Sequence, residues 1–258
     1  MIVEEKKLLF STANIILEDD KFLSMLKSGR YSKIVAMSYD KLSVDNCKLR
    51  TKTTSLVKLD RDEDEIFSKF SDTTRNEIRR TFRNDELKFV FSDNITDDSY
   101  QLYKRFEYLQ GRVPVSKKSL QQCVLFSAYY RGEIISAIYV MKIKPYLRIR
   151  SIFSKRLEIE DKDLYKVISN ATRRVVWEVC LWGIKNNFSS LDMASVNMSN
   201  PKTISISKFK ISFGGDIINE YTYIYKTKIF TWFEKIVHWR LVSLKLLNKL
   251  KKLLCLSK

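Results

Sequence analysis

The chain has a single histidine, His238, set in a basic stretch near its end. That scarcity excludes a Ser-His-Asp or Cys-His catalytic machine in the body, and any histidine-rich metal site. Proton transfers in an enzyme of this composition fall to Asp, Glu, Tyr, Lys or the substrate. Glycine and proline are also scarce, at 6 and 3 in 258 residues, which leaves little material for disordered linkers. The four cysteines, Cys47, Cys123, Cys180 and Cys255, show no CxxC spacing, so neither a disulfide framework nor a zinc knuckle is expected and a reducing cytosolic setting fits. No run approaches the roughly 18 apolar residues of a spanning helix, and the acidic start at Glu4-Glu5 does not read as a signal peptide. Acids are in short supply. Thirty Asp and Glu against 47 Lys and Arg leave a net charge of +17, which points to an anionic partner unless a lysine-rich composition alone accounts for it.

With 45% hydrophobic residues the chain is long enough for one large domain or two small ones. Strand patterns run over Lys7–Phe10, Lys33–Ser38 and Thr53–Leu59. The acid run Asp60–Glu65 supplies the start of a helix, and Ser71-Asp72 re-caps it. Leu87–Phe91 reads as a strand and Asp98–Leu109 as a helix. Three further strands follow, Val124–Tyr130, Ile134–Ile143 and Tyr146–Phe153, with short turns that predict an antiparallel meander. The rest reads as a long helix over Asp163–Asn186, a strand at Leu191–Ala194, a helix at Ser205–Phe213 and a strand at Asp216–Tyr225.

Residues 226–258 hold nine Lys or Arg and one acid, Glu234, with apolar residues along one helical side. That is the pattern of an interfacial amphipathic helix, and it predicts contact of residues 229–258 with an anionic membrane surface. A helix packed on the body or on a second subunit is the plainer alternative.

Four groups of residues carry chemistry. Lys208 and Lys210 flank Phe209 and run into Gly214-Gly215, an order suited to holding a phosphate or a developing oxyanion. Arg75, Arg79 and Arg83 share a helix stripe flanked by Arg80, which suits a phosphate-rich ligand or a solvated face. Arg148 and Arg150 alternate on a strand and so share a face. Asp192 ends a buried strand, where it can orient an amine acceptor or hold the loop that follows.

The strand and helix order of the second half, the helix end at Trp177–Asn186, the strand Leu191-Asp192-Met193-Ala194-Ser195 and the turn Phe209-Lys210-Ile211-Ser212-Phe213-Gly214 together resemble the GNAT-type acyltransferases. More narrowly, they are similar to the Fem-type aminoacyl transferases of peptidoglycan bridge synthesis. The resemblance covers roughly residues 50–225 and implies an α+β fold, a GNAT-like mixed and mostly antiparallel central sheet flanked by helices. It implies a trimmed N-terminal half over 1–118, an acyltransferase half over 119–225 and the basic helical tail over 226–258. It implies Asp192 and Lys210 as catalytic residues, with Arg75, Arg79, Arg80, Arg150 and Lys208 binding substrate. The implied donor is acyl-CoA or aminoacyl-tRNA, with no metal. The implied acceptor is an amine on an anionic envelope precursor or a nucleotide-linked substrate, with tRNA a further candidate partner. The expected setting is cytoplasmic, at the inner face of the plasma membrane.

One departure stands out. Ser154-Lys155-Arg156-Leu157-Glu158 occupies the place of the glycine-rich acyl-CoA loop of ordinary GNAT enzymes, so a pantetheine site without glycines or an aminoacyl-tRNA donor is expected. Two other readings compete: a non-catalytic basic module for RNA or membrane, and an acetyl-CoA N-acetyltransferase acting on a nucleotide sugar.

Overall fold

A computed structural model describes residues 1–7 and 9–237. In chain order the elements are β1 (Ile2–Lys7), β2 (Phe10–Ile16), α1 (Asp19–Lys27), β3 (Lys33–Ser38), β4 (Cys47–Lys58), α2 (Glu63–Lys69), α3 (Asp72–Thr81), β5 (Leu87–Ser92) and α4 (Asp97–Leu109). There follow β6 (Cys123–Tyr130), β7 (Glu133–Ile143), β8 (Tyr146–Ser154), α5 (Lys162–Lys185), β9 (Ser190–Val196), α6 (Ile204–Ile211) and β10 (Asp216–Lys226). Residues 228–237 are helical, whereas the tail from 238 onward, including His238 and most of the expected membrane-binding segment, lies outside the described residues. The expected strand at Lys7–Phe10 is instead the end of β1 and the start of β2, joined by a turn.

The chain divides into two compact units, one of Met1–Thr51 with the return from Glu220, the other of Lys52–Asn219. This division departs from the expected boundary near residue 118. The reason is pairing: β4 joins β9, β5 joins β6, and so the segment 52–118 shares the sheet of the residues that follow it.

In the larger unit the strand order is β4-β9-β8-β7-β6-β5. Every pair is antiparallel except β8 with β9, so the sheet is mixed and mostly antiparallel as expected. The predicted meander is β6-β7-β8. β7 is buried on both faces from Ile134 to Met141, and α5 covers one of those faces with Ile168, Ala171, Val175, Val179 and Cys180. The Ser136 and Thr172 hydroxyls, 2.8 Å apart, satisfy each other inside that packing. Serine caps where the sequence places one: the Ser71 hydroxyl accepts from the Thr74 amide at the start of α3.

The smaller unit has the order β1-β2-β3-β10, with β2 and β3 parallel. Its core is Ala13, Ile15, Phe22, Ile34, Ala36 and Tyr223. The helix of residues 228–237 packs here, through Phe230 and Phe233 against Phe10. Glu234 bonds Lys226 and reaches Lys33 at 3.4 Å. Burial pushes the Glu234 carboxyl up, but the Lys226 bond and the two lysine charges outweigh it and hold the group below its ordinary value.

The glycine pair after α6 is a packing device. Gly214 has φ +67, and a Cβ there would sit 2.3 Å from the Lys69 carbonyl oxygen; one on Gly215 would sit 2.5 Å from Ser55 Oγ and 2.9 Å from the Leu56 carbonyl carbon. The backbone at these positions therefore lies against α2 and β4.

Two outcomes follow from this packing. Gly214→Ala loses about 1–3 kcal/mol of stability by urea unfolding, because strain and overlap add. The docking of residues 228–237 has its own pH dependence. A carboxyl whose folded pKa is depressed stabilises above its ordinary value and loses that contribution as pH falls through the lowered one. Acidifying from about pH 7 to about pH 3 releases the Phe230 and Phe233 ring shifts toward free-helix values in NMR spectra, and Glu234→Gln produces the same release at neutral pH.

Candidate active site

Strands β8 and β9 run together for three registered pairs only: Tyr146 with Ser190, Leu147 with Leu191 and Arg148 with Asp192. Beyond that point β8 continues along β7, and β9 continues along β4. The two part company at Asp192. Its carboxylate is fully buried and accepts from Thr54 Oγ1 on β4, from the Arg148 guanidinium on β8 and, at 2.7 Å, from the Ala194 amide. Ala194 has φ +59, and the β4–β9 register slips here, Thr54 facing Ser195 but Leu56 facing Asp192. Asp192 thus binds three strands and turns a β-bulge in its own. A second bulge lies across the opening. In the β7–β8 ladder Ser151 faces Tyr139 and Ile149 faces Val140, so Arg150 is the extra residue, turned out of the ladder.

The opening between the parted strands leads into a cavity of ≈ 760 Å³. β8 from Ile149 to Ser154 forms one wall, with Ala194 of β9 and the α6 side chains across from it. α4, the segment to Leu120, α5 and the start of α3 also line it. Six cations face this space: Arg112, Arg150, Arg156, Arg173, Lys208 and Lys210. Only one carboxylate joins them, that of Glu107. From α3, α5 and α6 come Ser71, Thr73, Ser169, Ser205 and Ser212, while α4 and the segment after it bring the apolar Tyr103, Phe106, Val113 and Val115.

Each of these groups is positioned by named neighbours. Lys210 Nζ donates to the Ser195 carbonyl at 2.9 Å, just past the bulge that Asp192 organises. The buried Ser207 hydroxyl takes the Asn197 amide at 2.8 Å and donates to the Asn197 carbonyl at 3.1 Å, fixing α6 to the end of β9. Arg173 stacks over Phe209 and pairs with Glu77 of α3 at 2.9 Å. Burial pushes its guanidinium pKa down and Glu77 pulls the other way; the group stays charged. Glu107 is 8% exposed and accepts from Arg112 Nη2 at 2.8 Å. Burial also raises the Tyr103 phenol, with Glu107 adding to the shift and Arg150 opposing it.

Of the residues singled out from sequence, the cavity brings together Arg150, Lys208 and Lys210. Asp192 lies off the cavity wall, sealed among β4, β8 and β9. Arg75 is absorbed in the α2–α3 junction, where it donates to the Ser68 and Phe70 carbonyls and pairs with Asp72. Arg79 lies over the Phe67 ring, and Arg80 is exposed on α3. None of these three arginines lines the cavity. Sequence patterns passed over Glu107, Arg112, Arg156 and Arg173, which reach the site from separate elements. The buried thiols offer no nucleophile: burial pushes Cys123 up to about 11 and Cys180 higher still.

No family model and no curated protein sequence matches the chain. Solved structures match it well. FemX superposes with a TM-score of 0.59 at 8% identity, over 86% of this chain and 83% of its own. The fold is GNAT-like and is shared with FemX. L-PGS from Bacillus licheniformis follows the same path, with a TM-score of 0.53 at 14% identity over 88% of this chain and 81% of its own. So does a C-terminal domain assigned to a lysylphosphatidylglycerol synthetase of Agrobacterium fabrum, with a TM-score of 0.53 at 12% identity over 86% and 79%.

This GNAT-like frame hangs on the Asp192 cluster. Asp192→Ala removes the buried carboxylate that pairs with Arg148 and binds Thr54 and Ala194, and urea unfolding should show a loss of about 3–5 kcal/mol. A loss under about 1 kcal/mol would mean that the cluster does not hold the strands.

Proposed function

We propose that the cavity is the active site of an acyl- or aminoacyltransferase acting on an amine of an anionic, phosphate-bearing acceptor such as an envelope precursor. The observation that carries this reading is the ratio of six cations to one carboxylate around a cavity opened by two parting strands. Arg173 and Lys210 are half-buried and the other four cations are exposed at the rim; core packing does not call for six cations around one space, and an anionic ligand does. The fold shared with FemX supports the same direction.

In this reading the amine attacks the activated carbonyl. A C–N bond forms, the C–O or C–S bond to the donor breaks, and negative charge develops on the carbonyl oxygen. Lys210 and Arg150 stabilise that charge electrostatically. The amine must be neutral to attack, and Glu107 takes its proton and returns it to the departing oxygen or sulfur. Asp192 acts at a distance from the chemistry, by holding the bulge and through Ser195 the Lys210 ammonium.

The start of α5 favours aminoacyl-tRNA over acyl-CoA as donor. Its first free amides, of Asp163 and Leu164, are already taken by the Asp161 carboxylate at 3.0 and 2.7 Å, and Asp163 adds a second acid to that turn. A pyrophosphate seeking the positive end of this helix meets a carboxylate instead. Arg80 is exposed on α3, whose first residues reach the cavity, and Arg83 is exposed in the turn after it, so an RNA donor would place phosphates within reach of both.

Transfer of a labelled acyl group, assayed with charged tRNA and with acyl-CoA in parallel, tests the reading. Lys210→Ala and Arg150→Ala each lower kcat/KM about 10²-fold, and Glu107→Gln lowers kcat with little change in KM. Arg80→Glu with Arg83→Glu weakens use of the tRNA donor and steepens no other parameter. Tight tRNA binding with no transfer to any amine would favour the non-catalytic module instead.

A further inference from the structure

The helix of residues 228–237 carries a broad apolar surface, and the protein covers part of it. On the used side, Phe230 and Phe233 meet Phe10 at 5.1 and 4.9 Å between ring centroids, and Lys33 lies over the Phe230 ring. Next to these rings on the helix surface, Ile229 is 70% exposed and Trp232 65% exposed. They stand three residues apart and so share a face. Leu9, next to Phe10 in the β1–β2 turn, is 92% exposed. Lys228 and Lys235 are exposed beside this face. Isolated exposed hydrophobics need no explanation; a tryptophan and an isoleucine aligned on a helix whose neighbouring side is anchored form a surface with a direction.

We propose that this face docks on the surface of an anionic lipid bilayer, with the helix lying in the plane of the interface. Ile229 and Trp232 enter the boundary between headgroups and acyl chains, where an indole can bury its ring and keep its N–H wet. Lys228 and Lys235 meet the lipid phosphates. A second copy of the chain is a poor occupant, because a two-fold contact would set these lysines against their own copies in a protein of net charge +17. A spanning segment is not required, and no helix among the described residues is long and apolar enough to provide one. The sequence beyond the described residues keeps the same mixture, with Leu241, Leu244 and Leu247 alongside Lys245, Lys249 and Lys252. The inference stands apart from the transfer chemistry.

Co-sedimentation of the full chain with phosphatidylcholine vesicles, with and without about one-third phosphatidylglycerol, tests it. The wild-type chain sediments with the anionic vesicles, and the double variant Ile229→Ser, Trp232→Ser partitions at least about 10-fold less. Lys228→Glu with Lys235→Glu removes the preference for anionic lipid. Thermal unfolding of both variants matches wild type, since all four side chains are exposed. Three results would each overturn the proposal: unchanged binding of the Ile229→Ser, Trp232→Ser variant, equal binding of wild type to both vesicles, or a wild-type dimer in sedimentation equilibrium that the apolar double variant dissolves.

Discussion

A carboxylate cut off from water must find all of its partners inside the protein, and Asp192 does so across three strands. Arg148 supplies the opposite charge, Thr54 a hydroxyl and Ala194 an amide. Each partner comes from a different part of the local structure, and each is fixed by the bond. The arginine keeps β8 beside β9 as far as the cluster and no further. The amide folds β9 into the bulge that turns Ser195 toward Lys210. The cavity exists because the strands are held together at one end and released at the other.

Much of this frame is legible in the sequence. The meander, the long helix with its apolar stripe and the order that follows α5 rest on local periodicity and turn residues, and the strands and helices form where those signals are. The smaller unit is harder to read. α1 buries only Phe22, and nine residues with one anchor carry little pattern. The return of β10 to β3 joins residues almost two hundred positions apart, and no local rule reports such a pairing.

For the site, sequence spacing finds what lies on one element. Lys208 and Lys210 are two residues apart on α6, and both reach the cavity. Arg75 and Arg79 look alike on a helical wheel, yet Arg75 spends its guanidinium on the carbonyls of Ser68 and Phe70, and Arg79 rests on Phe67. A charge stripe does not say whether its heads are free. Glu107, Arg112, Arg156 and Arg173 come from α4, the loop after it, the turn after β8 and α5, and only the folded chain brings them into one space. The glycine pair shows the reverse case: a pattern suggestive of anion binding whose geometry is taken up by close packing against Lys69 and Ser55.

The Asp161 cap on α5 has a consequence for how this site can change. Anions held by backbone amides are recognised by parts of the chain that no substitution can replace, and altering such a site means rebuilding a loop. Here the amides are occupied by the protein's own carboxylate, and the cations around the cavity are side chains from several elements. Every one of those side chains is a separate codon. The charge around the cavity is therefore open to adjustment by single-residue steps, each acting on one part of its lining while the sheet beneath it stays as it is.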